Sequence, residues 1–197
     1  MQKIMFNDKY GLTQAVLDGR KTQTRRIAHA GYIKFPNTCI GLKGNNRNKL
    51  YLKTEKNIVA RSRYKIGEEV AIAQAYRRLR VNSCRAYNDN EILDICYSIG
   101  WKNKMYVKAD LMPYRIRITN IRAERLQYIT DEDCMAEGIW KAHNVGLEGV
   151  TYWYTNLVNS PYRTAKEAYA ALIDKISGKG TWASNPYVFV YEFELIK

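Results

Sequence analysis

Two stretches alternate with a period of two residues, and a chain that carries such stretches must build a sheet with one face closed against a core. In Tyr114-Arg115-Ile116-Arg117-Ile118-Thr119 the isoleucines fall on one face and the arginines on the other. After Pro186, the residues Phe189, Tyr191, Phe193 and Leu195 likewise share a face. Lys3 to Phe6 reads as a short opening strand and Val70 to Leu79 as another.

Between the strands lie helix signals. Asp8 is the expected N-cap of a helix whose apolar face is Leu12, Ala15 and Val16, with Gly19 closing it in the left-handed conformation. Thr130 with Asp133 predicts a short helix that ends at Gly138, and Glu91 to Tyr97 a turn or two of helix. Thr164 with Glu167 caps the clearest helix, which runs to Ser177 and stops at Gly178. Strands and helices in this mixture predict an α+β protein, a small barrel or curved sheet decorated by helices. Three stretches read as loop insertions into one domain spanning 1–197: about 28–57, 82–104 and 140–161.

The chemistry concentrates in Gly19-Arg20-Lys21-Thr22-Gln23-Thr24-Arg25-Arg26, four cations and two hydroxyls in eight residues. The chain as a whole carries 32 Lys and Arg against 19 Asp and Glu, a formal net charge of +13, which favours a polyanionic partner. Basic residues recur beside tyrosines further on: Lys49, Lys53, Arg61 and Arg63 accompany Tyr51 and Tyr64, a pattern that tracks a single strand by charge and stacking. The four cysteines are scattered without a CxxC pair, which reads as reduced thiols in a cytoplasmic protein, and no apolar run is long enough to span a bilayer. Neither His29 nor His143 stands at ligand spacing from another metal-binding residue, so no metal and no cofactor is expected. Phosphate-loop, dinucleotide-binding and serine-elbow motifs are missing.

Several segments, in this order, resemble the ASCH family of the PUA-like superfamily, in particular its longer phage and prophage members. They are Ile4-Met5-Phe6, Leu17 to Arg26, Tyr64-Lys65-Ile66-Gly67, Ile118 to Leu126, Ile129 to Gly138, Gly178-Lys179-Gly180, and Asn185-Pro186-Tyr187-Val188. The resemblance implies a PUA-like β-barrel with a cleft for RNA or a modified nucleoside, with DNA as an alternative. Small members include amidohydrolases that remove the acetyl group of N4-acetylcytidine with Lys, Thr and Glu, to which Lys21, Thr24 and Glu137 look like the matching positions. Other members are ribonucleases, and a third expectation is a non-catalytic reader of modified bases that serves a phage. Relatives often place a Glu after the Gly67-type turn where this chain has Gln74. Gln74, Tyr76 and Trp153 are expected to read or stack a base, and Arg20, Arg25, Arg26, Lys49, Lys53, Arg61 and Arg63 to meet phosphates.

The amidohydrolase scheme makes a geometric demand. Lys21 and Thr24 would leave opposite faces of a regular strand, so cooperation requires a bend after Gly19. It also requires that Lys21, ordinarily protonated with a pKa of about 10.4, be pushed toward its neutral form so that it takes the Thr24 proton. The oligomeric state is left open by the sequence.

Overall fold

A computed structural model describes residues 1–28, 40–43, 50–53, 58–79, 89–143, 150–154 and 161–196. The architecture is α+β. Its frame is a five-stranded mixed sheet in the order β1-β6-β7-β10-β2, where β1 is Gln2–Ile4, β2 Gln23–Ile27, β6 Glu69–Ile72, β7 Arg115–Arg125 and β10 Tyr187–Ile196. The β1–β6 pair is parallel and the other three pairs are antiparallel. Strands β3 (Ile40–Lys43), β4 (Leu50–Lys53) and β5 (Ile58–Arg61) form a second, three-stranded sheet. Among the described residues no strand pairing closes a barrel; β1 and β2 are the free edges of the large sheet.

Strand β7 follows its alternation with one instructive exception. Ile116 and Ile118 face Leu195 and Phe193, after which the register with β10 slips by one residue, so that Ile121 faces Tyr191. A simple period of two would have turned Ile121 to the opposite face, and the irregularity at Thr119 and Asn120 returns it to the core. Ile116, Ile118 and Ile121 are all buried, joining Phe189, Tyr191 and Phe193 in one cluster that also takes Leu52 and Ala60 from the smaller sheet. A second cluster of Ala71, Ala73, Tyr76, Val107 and Met112 forms beside β6. Val188 to Tyr191 are all buried, so side chains on both faces of this strand are covered.

The helices are α1 (Leu12–Leu17), α2 (Asp89–Tyr97), α3 (Asp131–Ala136), α4 (Ala165–Ser177) and α5 (Thr181–Ser184). Thr164 and Glu167 make the expected reciprocal capping box on α4, and the Thr130 side chain accepts from the Asp133 amide at the start of α3. At α1 the expectation fails: the helix starts after Gly11, and the Asp8 carboxylate instead accepts a hydrogen bond from the Thr13 hydroxyl and pairs with Lys104 at 2.9 Å.

Other boundaries also differ. The first strand ends at Ile4, and the strand expected to reach Leu79 stops at Ile72, followed by a 3-10 turn at Tyr76–Arg78. The 28–57 stretch contributes β3 and β4 and is no simple excursion, because cross-strand pairing supplies order that its composition does not advertise. The 140–161 stretch contains an antiparallel pair, β8 (Trp140–His143) with β9 (Val150–Trp153), which sets Trp140 opposite Trp153. Of the 82–104 stretch, residues 82–88 lie outside the described part, and α2 with two 3-10 turns fills most of the rest. Among the described residues no helix is long and apolar enough to cross a membrane.

Candidate nucleoside cleft

The edge strand β2 divides its side chains between two environments. Register places Thr24 opposite Tyr191 and Arg25 opposite Val190, so Thr24 and Arg26 share the aromatic face while Gln23 and Arg25 share the face covered by α3. Lys21 precedes the strand. Gly19, at φ +75°, ends the turn after α1, and the Lys21 amide then returns to the Ala15 carbonyl at 2.9 Å. The Lys21 side chain curls back, and its ammonium donates to the Gln23 carbonyl at 2.6 Å, the peptide bond that leads directly into Thr24. The turn at Gly19 thus sets the Lys21 ammonium against the peptide bond that precedes Thr24.

Lys21 has two further acceptors, the Glu137 carbonyl at 2.8 Å and the Glu137 carboxylate oxygen Oε2 at 2.6 Å. An ammonium has three protons, and all three are placed. The pair is almost fully buried, with side-chain exposures of 1% and 6%. Burial is the largest influence on Lys21 and lowers its pKa; the Glu137 carboxylate works against it, and Arg26 and Arg25 add to the lowering.

The other Glu137 oxygen accepts from Arg25 at 3.3 Å. Arg25 is itself enclosed: its side chain has no exposure, and it donates to Glu124 at 2.7 Å and to Asp133 at 2.6 Å. Asp133 also accepts from Arg122 at 2.7 Å, and Arg122 donates further to Glu124, Glu192 and Gln23. Burial alone would raise the Asp133 carboxyl, but the hydrogen bonds from Arg122 and Arg25 hold it below the usual range. Burial pushes the neighbouring Cys134 thiol up to about 12.

Lys21, Thr24 and Glu137 line a single cleft of about 730 Å³. Phe6, Tyr64 and Tyr191 give it an aromatic wall, and Leu172 and Ile173 of α4 an aliphatic one. Lys21 Nζ stands 5.9 Å from the Phe6 ring centre, and the Arg26 guanidinium 6.0 Å from the same ring. Arg26, Arg61 and Arg63 are exposed at the margin. Arg26 also donates to the Met5 carbonyl at 2.6 Å, and Arg63 lies over the Tyr64 ring at 5.5 Å. Among the described residues nothing hydrogen-bonds the Thr24 hydroxyl.

Arg25 also lines the cleft, but its guanidinium meets carboxylates and not solvent, because its side of β2 is roofed by α3. Other expected site residues lie elsewhere. Arg20 is exposed, pairs with Asp18 at 3.3 Å and faces a different hollow. Gln74 is buried, its backbone N–H donating to the Met112 sulfur at 3.3 Å, and Tyr76 is buried with its hydroxyl accepting from the Lys108 backbone N–H at 2.8 Å. Both belong to the packing beside β6 and neither lines the cleft. Trp153 is half-buried in β9, away from the cleft, and donates to the Thr151 hydroxyl at 3.2 Å. Lys49 and the Lys53 side chain lie outside the described residues.

Sequence reasoning missed Phe6, Tyr191 and the acidic partners of Arg25. Glu124 and Asp133 stand 99 and 108 residues away from Arg25, and nothing local marks them as its partners. Among the described residues no group of three His, Cys, Asp or Glu side chains is placed to hold a metal ion. Comparisons with protein-family models, with characterised proteins and with solved structures returned no match.

Proposed function

We propose that the cleft binds RNA or a modified nucleoside and hydrolyses the acyl group from N4-acetylcytidine-type substrates without a metal, within a variant of the PUA-like fold. The observation that carries this reading is the convergence of Lys21, Thr24 and Glu137 on one cleft with an aromatic wall and an arginine margin. The segments that resemble the ASCH family contain all three residues.

The Lys21 to Glu137 contact suggests how a buried lysine becomes a base. Burial disfavours the charged form of Lys21, so the scheme draws on its neutral amine, which Glu137 Oε2 orients at 2.6 Å. Thr24 Oγ1 then attacks the acyl carbonyl carbon while Lys21 takes its proton. The tetrahedral centre collapses with cleavage of the carbon–nitrogen bond, and the exocyclic amine of cytosine leaves with the proton returned by Lys21. Water hydrolyses the Thr24 ester, releases the carboxylate and restores the hydroxyl.

Acetate release from N4-acetylcytidine, lost in Thr24→Ala and Lys21→Met, is the expected result. Shortening of single-stranded RNA in the presence of chelator would instead indicate a ribonuclease. One observation favours a second reading, a non-catalytic reader: all three Lys21 protons already have acceptors, as in a purely structural ion pair. Ligand binding without turnover is the outcome that selects it.

A further inference from the structure

The four cations of the basic segment do not serve one surface. Lys21 and Arg25 are buried, Arg26 lies at the margin of the cleft, and Arg20 points into a second hollow of about 500 Å³. That hollow is lined by Lys9, Tyr10, Arg20, Gly138, Trp140 and Tyr154. Tyr10 and Tyr154 meet edge to face with ring centres 5.7 Å apart, and the Lys9 ammonium stands 5.8 Å from the Tyr10 ring centre. Trp140, 42% exposed, offers a large aromatic surface to solvent.

The two hollows are neighbours across a thin partition. Asp8 lines both, and Glu137 of the cleft is followed directly by Gly138 of the second hollow. Gly138 has φ +102°, and a Cβ placed on it would lie 3.3 Å from the Leu12 side chain and 3.7 Å from Lys21 Cβ. A larger residue would be strained there and would press on the Leu12 side chain. The Asp8 carboxylate, the anion of the partition, is engaged by Lys104 and Thr13.

We infer that the second hollow receives the base next to the one held in the cleft, stacked on Trp140, so that the ligand is a single-stranded oligonucleotide and not a free nucleoside. Arg20 lines the second hollow and Arg26 the cleft, so each offers a cation to a strand laid across the partition. Arg20 is available for this because its pairing with Asp18 is solvent-exposed and weak. The inference rests on the nucleic-acid reading of the cleft.

The test compares the affinity of cytidine 5′-monophosphate with that of di- and tricytidylate at fixed salt, for the unaltered protein and for Trp140→Ala, Trp140→Phe and Arg20→Ala. One stacked base is worth about 1–3 kcal/mol, so the dinucleotide should bind roughly 5- to 150-fold more tightly than the mononucleotide. Trp140→Ala should remove that gain and leave mononucleotide affinity unchanged, and Trp140→Phe should restore much of it. Arg20→Ala should weaken the oligonucleotides alone and reduce their salt dependence. Equal affinity for mono- and dinucleotide, or a gain that survives Trp140→Ala, overturns the inference while leaving the cleft as a nucleoside site. Absence of binding by every ligand, N4-acetylcytidine included, overturns both.

Discussion

Strands β7 and β10 carry two charge networks on the same face of the same sheet. At one end Arg117 bridges Glu69 at 3.2 Å and Glu194 at 3.1 Å, in the open, with side-chain exposures between 40% and 54%. At the other end, under α3, Arg25 gathers Glu124, Asp133 and Glu137, and Glu137 passes its second oxygen to Lys21. The residue types and distances are nearly the same. Only the roof differs, and it decides the energetics: water screens the open bridge to near irrelevance, whereas in the covered one the loss of a carboxylate leaves a buried cation short of its partner. The covered network is therefore a rigid mount for Lys21, and the open one is a surface.

The sharpest way to break this comparison is Glu137→Ala, which leaves the buried Lys21 ammonium with carbonyl acceptors alone and takes one of three carboxylates from Arg25. It should cost about 3–5 kcal/mol in urea unfolding and abolish hydrolysis. Lys21→Met is the informative companion. It removes one buried charge and leaves Glu137 paired with Arg25, so it should fold with a smaller loss, of about 1–3 kcal/mol, while hydrolysis falls to background.

Acid titration separates the two ends next. The Asp133 carboxyl is held below its ordinary 3.8, so its contribution is complete above that value and is lost as pH falls through the lower, folded-state value. Unfolding followed from pH 6 down to pH 2 should show a shallower acid limb in Asp133→Asn than in the parent. At alkaline pH the sign reverses in origin. The folded-state value of Lys21 lies below its ordinary 10.5, so between the two the unfolded chain holds the extra proton and stability should rise with pH, a slope that Lys21→Met lacks. The smallest effect is expected at the open end, where Arg117→Ala should leave the unfolding midpoint unchanged within error.

The same contrast explains what the sequence could disclose. Alternation in Tyr114 to Thr119, the capping box at Thr164 and Glu167, and the turn at Gly19 are local signals, and each corresponds to an observed element. The Trp140 to Trp153 pairing was hidden because an aromatic-rich stretch with glycines reads equally well as loop. Lys21, Thr24 and Glu137 were legible only through their resemblance to a known motif; charge and spacing alone also suited a phosphate contact. Arg25 was misjudged for a definite reason: a run of cations is usually solvated, and nothing near position 25 announces three carboxylates a hundred residues downstream.

The place of β2 at the sheet's margin has a consequence for biogenesis. Among the described residues, Thr24 and its neighbours in β2 pair with Val188 to Glu192 of β10 alone, a strand far downstream that is inserted between β2 and β7. A nascent chain emerging from the ribosome therefore holds Lys21 and Thr24 long before it holds the strand that anchors them. The cleft should assemble only after translation has passed residue 192, and until then the basic segment is an unanchored polycation in the company of ribosomal RNA.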